Sequence, residues 1–135
     1  ISDDSMRGSP NEWAMRAINT YNDLEADLIV AEKNFGGEMV RSTIRNASPD
    51  GLVPVKMVHA SRGKSVRAEP VSMLYEQNRV HHIGTFPELE DQMVNMTPTE
   101  YLGNGSPDRL DALVWAVTEL ALGGSTAKVI KVKFG

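Results

Sequence analysis

The chain has 135 residues, 41% of them hydrophobic and 24% charged, with a net charge of -4 and no cysteine. Length and composition fit one globular domain with a buried core and exclude global disorder. The lack of cysteine excludes disulfide scaffolds, zinc ribbons and thiol nucleophiles, and no apolar run approaches the ~20 residues that cross a bilayer. The opening ISDDSMRGSP does not read as a secretory signal, and a cytoplasmic setting is compatible with the composition. The acidic balance differs from that of a nucleic-acid coat but leaves room for a local basic patch.

Ser9-Pro10 opens a helix, because serine caps and proline suits the first turn. Trp13, Ala14, Ala17, Ile18, Tyr21 and Leu24 recur at helical spacing, which predicts a helix over 10–25. Asp27 to Glu32 is a short apolar run of the buried-strand type ending in a carboxylate. Asn34-Phe-Gly-Gly37 reads as a tight turn, Glu38 to Arg45 as a helix, and 46–51 as a loop. Val53 to His59 is a second strand, with Pro54 leaving its first residues unpaired.

Ala60 to Lys64 is a basic turn. Lys64 to Gln77 fits a helix with Val71, Leu74 and Tyr75 inward, and Pro70 moves its expected start to near Ala68. Arg79 to Gly84 reads as a short strand carrying His81 and His82 on opposite faces, one half-buried and one exposed. Pro87 to Val94 is a short acidic helix, and 95–107 is a long loop. Pro107 to Leu122 is the clearest helix, with Leu110, Leu113, Val114, Val117 and Leu120 on one side and Gly123-Gly124 ending it. Ala127 to Phe134 forms either a last strand or a disordered tail. Alternating helices and strands predict a layered α/β domain with a partly parallel sheet.

No phosphate loop of the GxxxxGK[ST] type and no GxSxG elbow is present, and His59, His81 and His82 lack metal-site spacing. The carboxylates carry more information. Glu32 ends a buried strand, the place where open α/β sheets bind ligands, although it also suits an exposed acid beside a turn. Asp108 and Asp111 share one face of the first turn of the last strong helix, where acids also favour the helix dipole. Asp111 borders the apolar DALVWA run, so its charge needs a partner, and a hard divalent cation is one answer. Arg62, Lys64 and Arg67 cluster in SRGKSVR, and Arg41 and Arg45 lie on the helix after the Gly-Gly turn. These cations form either a solvated basic surface or a clamp for backbone phosphates that reads no bases.

Several segments match one family together. They are W-A-x-x-A (Trp13 to Ala17), D-L-I-V-A-E-K-N-F-G-G-E-M-V (Asp27 to Val40) and H-A-S-R-G-K-S-V-R-A-E-P-V (His59 to Val71). L-Y-E-Q-N-R-V-H-H-I-G (Leu74 to Gly84), F-P-E-L-E-D-Q-M (Phe86 to Met93) and S-P-D-R-L-D-A-L-V-W-A-V-T-E-L (Ser106 to Leu120) complete the set. In order and spacing the chain resembles the C-terminal nuclease domain of the large terminase subunit of tailed bacteriophages and prophages.

The resemblance implies an RNase H-like layered fold, a mixed sheet flanked by helices, with a domain over 1–122 and a tail or short strand over 123–135. It implies DNA cutting with two Mg²⁺ or Mn²⁺ ions held by acids, with Glu32 and Asp111 as ligands and Asp108 as the supporting acid. Arg62, Lys64, Arg67 and Arg41 would hold DNA. The first-strand aspartate of the family has no counterpart here, so the chain is expected to begin near the end of the third strand. The opening strands and the N-terminal ATPase motor are then expected to be missing, with a sheet edge open to self-association. Implied partners are double-stranded DNA, the portal protein, the small terminase subunit and the ATPase domain of the same protein, in the cytoplasm of a bacterial host. Two further readings stand beside this one. The first keeps the fold as an inactive prophage remnant or a module that docks on DNA or the portal. The second is an unrelated α/β enzyme acting on a small molecule, which requires a closed apolar pocket.

Overall fold

The computed structural model describes residues 2–33, 37–123 and 129–132. Helix α1 (Pro10–Asp23) begins as its sequence requires. The Ser9 side chain accepts from the Glu12 backbone N–H, and the Glu12 carboxylate accepts from the Ser9 N–H, a reciprocal capping box. Ala14, Ala17 and Ile18 are buried, whereas Leu24 caps the helix and is exposed. Leu24 leaves the expected stripe because the chain turns out of the helix there, through Glu25 at φ 48.

Strand β1 (Leu28–Glu32) is the centre of the sheet. It pairs in parallel with β2 (Val55–Val58) on one side and with β3 (Val129–Val132) on the other. The three described strands therefore run in one direction, and Ile29, Val30 and Ala31 are each 0% exposed. Such burial explains why the LIVA run is continuously apolar instead of alternating. Strand β2 starts at Val55, and the carbonyl of Pro54, which has no N–H of its own, still accepts from Ile29 N at 2.9 Å. Residues 34–36 of the expected turn lie outside the described residues, as do 127, 128, 133 and 134 of the expected last strand.

Helix α2 (Gly37–Ala47) connects β1 to β2 and packs with α1 on one face of the sheet. Ala14, Ala17, Ile18, Ile29, Ile44 and Val53 form the core of that layer. A second core lies among α3 (Lys64–Glu76), α4 (Pro87–Val94) and α5 (Asp108–Val117). It gathers Ala68, Val71, Leu74, Leu89, Leu110, Leu113, Val114 and Val117. Helix α5 touches β3, and the π-helical turn Thr118–Leu122 that extends it reaches β2, where Lys56 Nζ meets Glu119 Oε2 at 2.7 Å.

Three local expectations are corrected. Helix α3 starts at Lys64, not near Ala68, and carries Pro70 in its interior. Proline there removes one helix hydrogen bond. The turn before it persists because Arg67 N bonds Gly63 O at 3.1 Å and the Arg67 side chain is anchored on α5, while Pro70 faces solvent. Arg79 to Gly84 is no strand. Helix α3 ends in a left-handed residue, Asn78 at φ 55, with Arg79 N bonded to Leu74 O at 2.9 Å. The chain beyond it is pinned by His82. Finally, the last helix is α-helical only to Val117. The wider π turn moves the following residues around the axis, so Leu120 falls off the buried stripe and is exposed.

Candidate functional site

The first turns of α3 and α5 lie side by side, and their sequence-predicted residues meet across the seam. Arg67 Nη1 lies 2.7 Å from Asp111 Oδ1, with the two side chains 12% and 2% exposed. The Arg67 Nε donates to Arg62 O at 3.1 Å, and the guanidinium carbon sits 4.8 Å from the centre of the Trp115 ring. One side chain thus joins a carboxylate, a loop carbonyl and an aromatic face. Such a planar cation, weakly hydrated and rich in donors, suits burial better than lysine does.

Asp108 forms the outer pair. Its Oδ1 is 3.6 Å from Lys64 Nζ and accepts from Ser106 Oγ at 2.5 Å, while Lys64 Nζ also donates to Ser106 Oγ at 2.8 Å. The α5 N-terminus has Pro107 at its cap and no side-chain cap of its own. Gln92 on α4 supplies the acceptor, its Oε1 taking the Leu110 N–H at 3.0 Å. Arg109 is tied to Asp3 at 2.8 Å, which brings the N-terminal segment onto α5.

The polarity of the two helix ends is opposed. Acids in the first turn of α5 favour its dipole, whereas Lys64 and Arg67 in the first turn of α3 oppose theirs. The cross pairs Arg67–Asp111 and Lys64–Asp108 offset that conflict.

Glu32 ends β1 and is half-buried. In register it pairs with Val58, and Val30 pairs with Lys56. Alternation along a strand places Glu32 on the face that Lys56 shares, the face turned to α5 and its π turn. All three candidate acids therefore belong to one side of the sheet. Among the described residues, however, no three His, Cys, Asp or Glu side chains come together as a group able to hold a metal ion.

The candidate DNA-binding cations do not form one surface. Arg62 is exposed on the loop before α3, Lys64 is half-buried beside it, and Arg67 is turned inward. Arg41 lies on α2, in the layer across the sheet, 3.9 Å from Glu38, and its Nε is buried with no hydrogen-bond partner among the described residues.

The sequence reading missed a second polar chain. His82 Nδ1 lies 2.9 Å from Glu90 Oε1 and its Nε2 lies 2.8 Å from the Tyr75 hydroxyl, with Tyr75 and Phe86 both edge-on to the imidazole at 5.6 Å. The hydrogen bond from His82 holds the Glu90 carboxyl below its ordinary range. Burial, with the Glu90 charge behind it, pushes the Tyr75 hydroxyl up to about 12. His81 is exposed and bonds Asn78 O at 2.7 Å, so one histidine is half-buried and the other exposed without a strand to separate them.

An apolar cavity of ≈ 150 Å³ lies between α3 and α5, lined among others by Val71, Tyr75, Met93, Leu110 and Val114. It is small beside the roughly 300–1,000 Å³ of ordinary ligand pockets, and none of the candidate acids lines it. No helix among the described residues is long and apolar enough to cross a membrane.

A family model described as a terminase RNaseH-like domain matches residues 4–120. No curated protein and no solved structure gives a significant match.

Proposed function

The chain belongs to the terminase RNaseH-like domain family, and from that premise we propose that it serves as the DNA-cutting domain of a phage DNA-packaging terminase. Its substrate is double-stranded, concatemeric viral DNA in the cytoplasm of a bacterial host. Its partners are the portal, the small terminase subunit and the ATPase domain. The family match over residues 4–120 carries this reading. Arg62, exposed on the loop before α3, and Lys64, half-buried in its first turn, support it, because cations beside a helix N-terminus suit an anionic partner such as a DNA phosphate. Arg62 and Lys64 hold the backbone without reading bases.

Cutting in this family implies Mg²⁺ or Mn²⁺, and carboxylate oxygens are the ligands such ions take. As arranged here the acids do not fit one. Asp111 is paired with Arg67 and Asp108 with Lys64, and no third acid joins them among the described residues. Those two ion pairs favour a second reading, a domain of the same fold that docks on DNA or the portal without cutting.

The test is cleavage of supercoiled plasmid with Mn²⁺ or Mg²⁺ present. Nicking is expected, and Glu32→Gln and Asp111→Asn are each expected to slow it on the order of a hundredfold, as loss of one charge-stabilising group does. Nicking unchanged in both variants overturns the site. DNA binding with no nicking by the unaltered protein selects the docking reading.

A further inference from the structure

The acid best placed for a divalent ion already holds a cation. Asp111 is 3% exposed, and its charge is balanced by Arg67 at 2.7 Å. Removing an ionised carboxylate from water is costly unless a partner compensates, so the pair belongs to the folded state and is no surface accident. The same guanidinium is held by Arg62 O at 3.1 Å and by the Trp115 face at 4.8 Å. It thereby fixes the loop that presents Arg62 and the turn that presents Lys64.

We propose that Arg67 is the resident cation of Asp111, a positioning residue that a divalent ion must displace before it reaches this carboxylate. The physical reason is like-charge repulsion. A divalent ion on Asp111 would place its charge beside a guanidinium in a setting largely shielded from water, where screening is weak. On displacement, Arg67 lets go of the Arg62 carbonyl and the Trp115 ring together. Binding at Asp111 and the position of the basic loop are thus coupled through one side chain. This proposal rests on the nuclease reading only in naming a divalent ion as the competitor.

Mn²⁺ binding followed by electron paramagnetic resonance tests it without any cleavage. Arg67→Gln, which removes the charge, is expected to tighten Mn²⁺ binding by roughly tenfold, the scale on which one nearby like charge shifts an ionisation equilibrium. Arg67→Lys, which keeps the charge, should bind as the unaltered protein does, and Asp111→Asn combined with Arg67→Gln should lose the gain. A role in packing alone would make the Gln and Lys variants behave alike. Binding no tighter in Arg67→Gln, or a gain that survives Asp111→Asn, overturns the proposal.

A measurement on the unaltered fold guards against a variant that fails to fold. The Trp115 indole N–H resonance should move as Mg²⁺ is added to the native sequence and stay fixed in Asp111→Asn. A resonance that stays fixed in the native sequence at tens of millimolar Mg²⁺ also overturns it. Tighter Mn²⁺ binding in Arg67→Gln with no nicking by any form would leave the exchange standing and reject the nuclease. Nicking with Mn²⁺ binding indifferent to Arg67 would do the reverse.

Discussion

The sheet layer and the helical layer each bury a polar side chain, and they satisfy it in different ways. In the layer of α1, β1 and α2 it is Ser48, a neutral hydroxyl that bonds Asp50 Oδ1 at 2.9 Å, two residues away. In the layer of α3, α4 and α5 it is Asp111, a carboxylate answered by Arg67, 44 residues away. A buried group met by its own turn completes a local bend. One that is charged and met across the fold costs more to keep, and it lies where the first turns of α3 and α5 bring Lys64, Arg67, Asp108 and Asp111 together. The sheet layer is a frame, and the polar chemistry belongs to the seam on its other side.

The largest effect that would expose this contrast is Asp111→Ala. It strands the nearly buried Arg67 charge and should cost about 3–5 kcal/mol of stability in urea unfolding. Replacing both partners, Arg67→Met with Asp111→Leu, should restore most of that loss. A double variant as unstable as the single one would show that the pair does more than balance charge. In the sheet layer Ile44, 0% exposed, should lose about 3 kcal/mol on Ile44→Ala, through lost burial and the cavity left behind. If Ile44→Ala also moved the Trp115 resonance, the two layers would not be independent.

A smaller change is expected from Ser9→Ala, which removes half of the α1 capping box and should cost about 1 kcal/mol by the same assay. The smallest concerns pH. The His82 hydrogen bond lowers the Glu90 pKa on folding. Its contribution is therefore complete above the ordinary glutamate range and is lost as pH falls through the lowered value. Glu90→Gln should flatten the acid limb of stability between neutral and strongly acidic pH. An unchanged limb would mean that His82 is held by Tyr75 alone.

The elements were largely legible in the sequence because their signals are local. The Ser9-Pro10 cap, the LIVA run of β1 and the Leu110, Leu113, Val114 stripe each state a structure within a few residues. Where that reading failed, a distant contact overruled a local signal. Pro70 argued for a late helix start, yet Arg67 is anchored to α5 and holds the earlier turn. Arg79 to Gly84 had the look of a strand, but His82 is taken by Tyr75 and Glu90, and none of the described strands pairs with this segment. The sequence by itself determined the alternating α/β order and nominated the acids and the basic cluster, because periodicity, caps and residue type are properties of neighbours. Only the tertiary structure decided that Arg67 meets Asp111 and Lys64 meets Asp108. Coulombic pairing depends on distance in space, and partners 44 residues apart in the chain leave no local pattern to announce either pair.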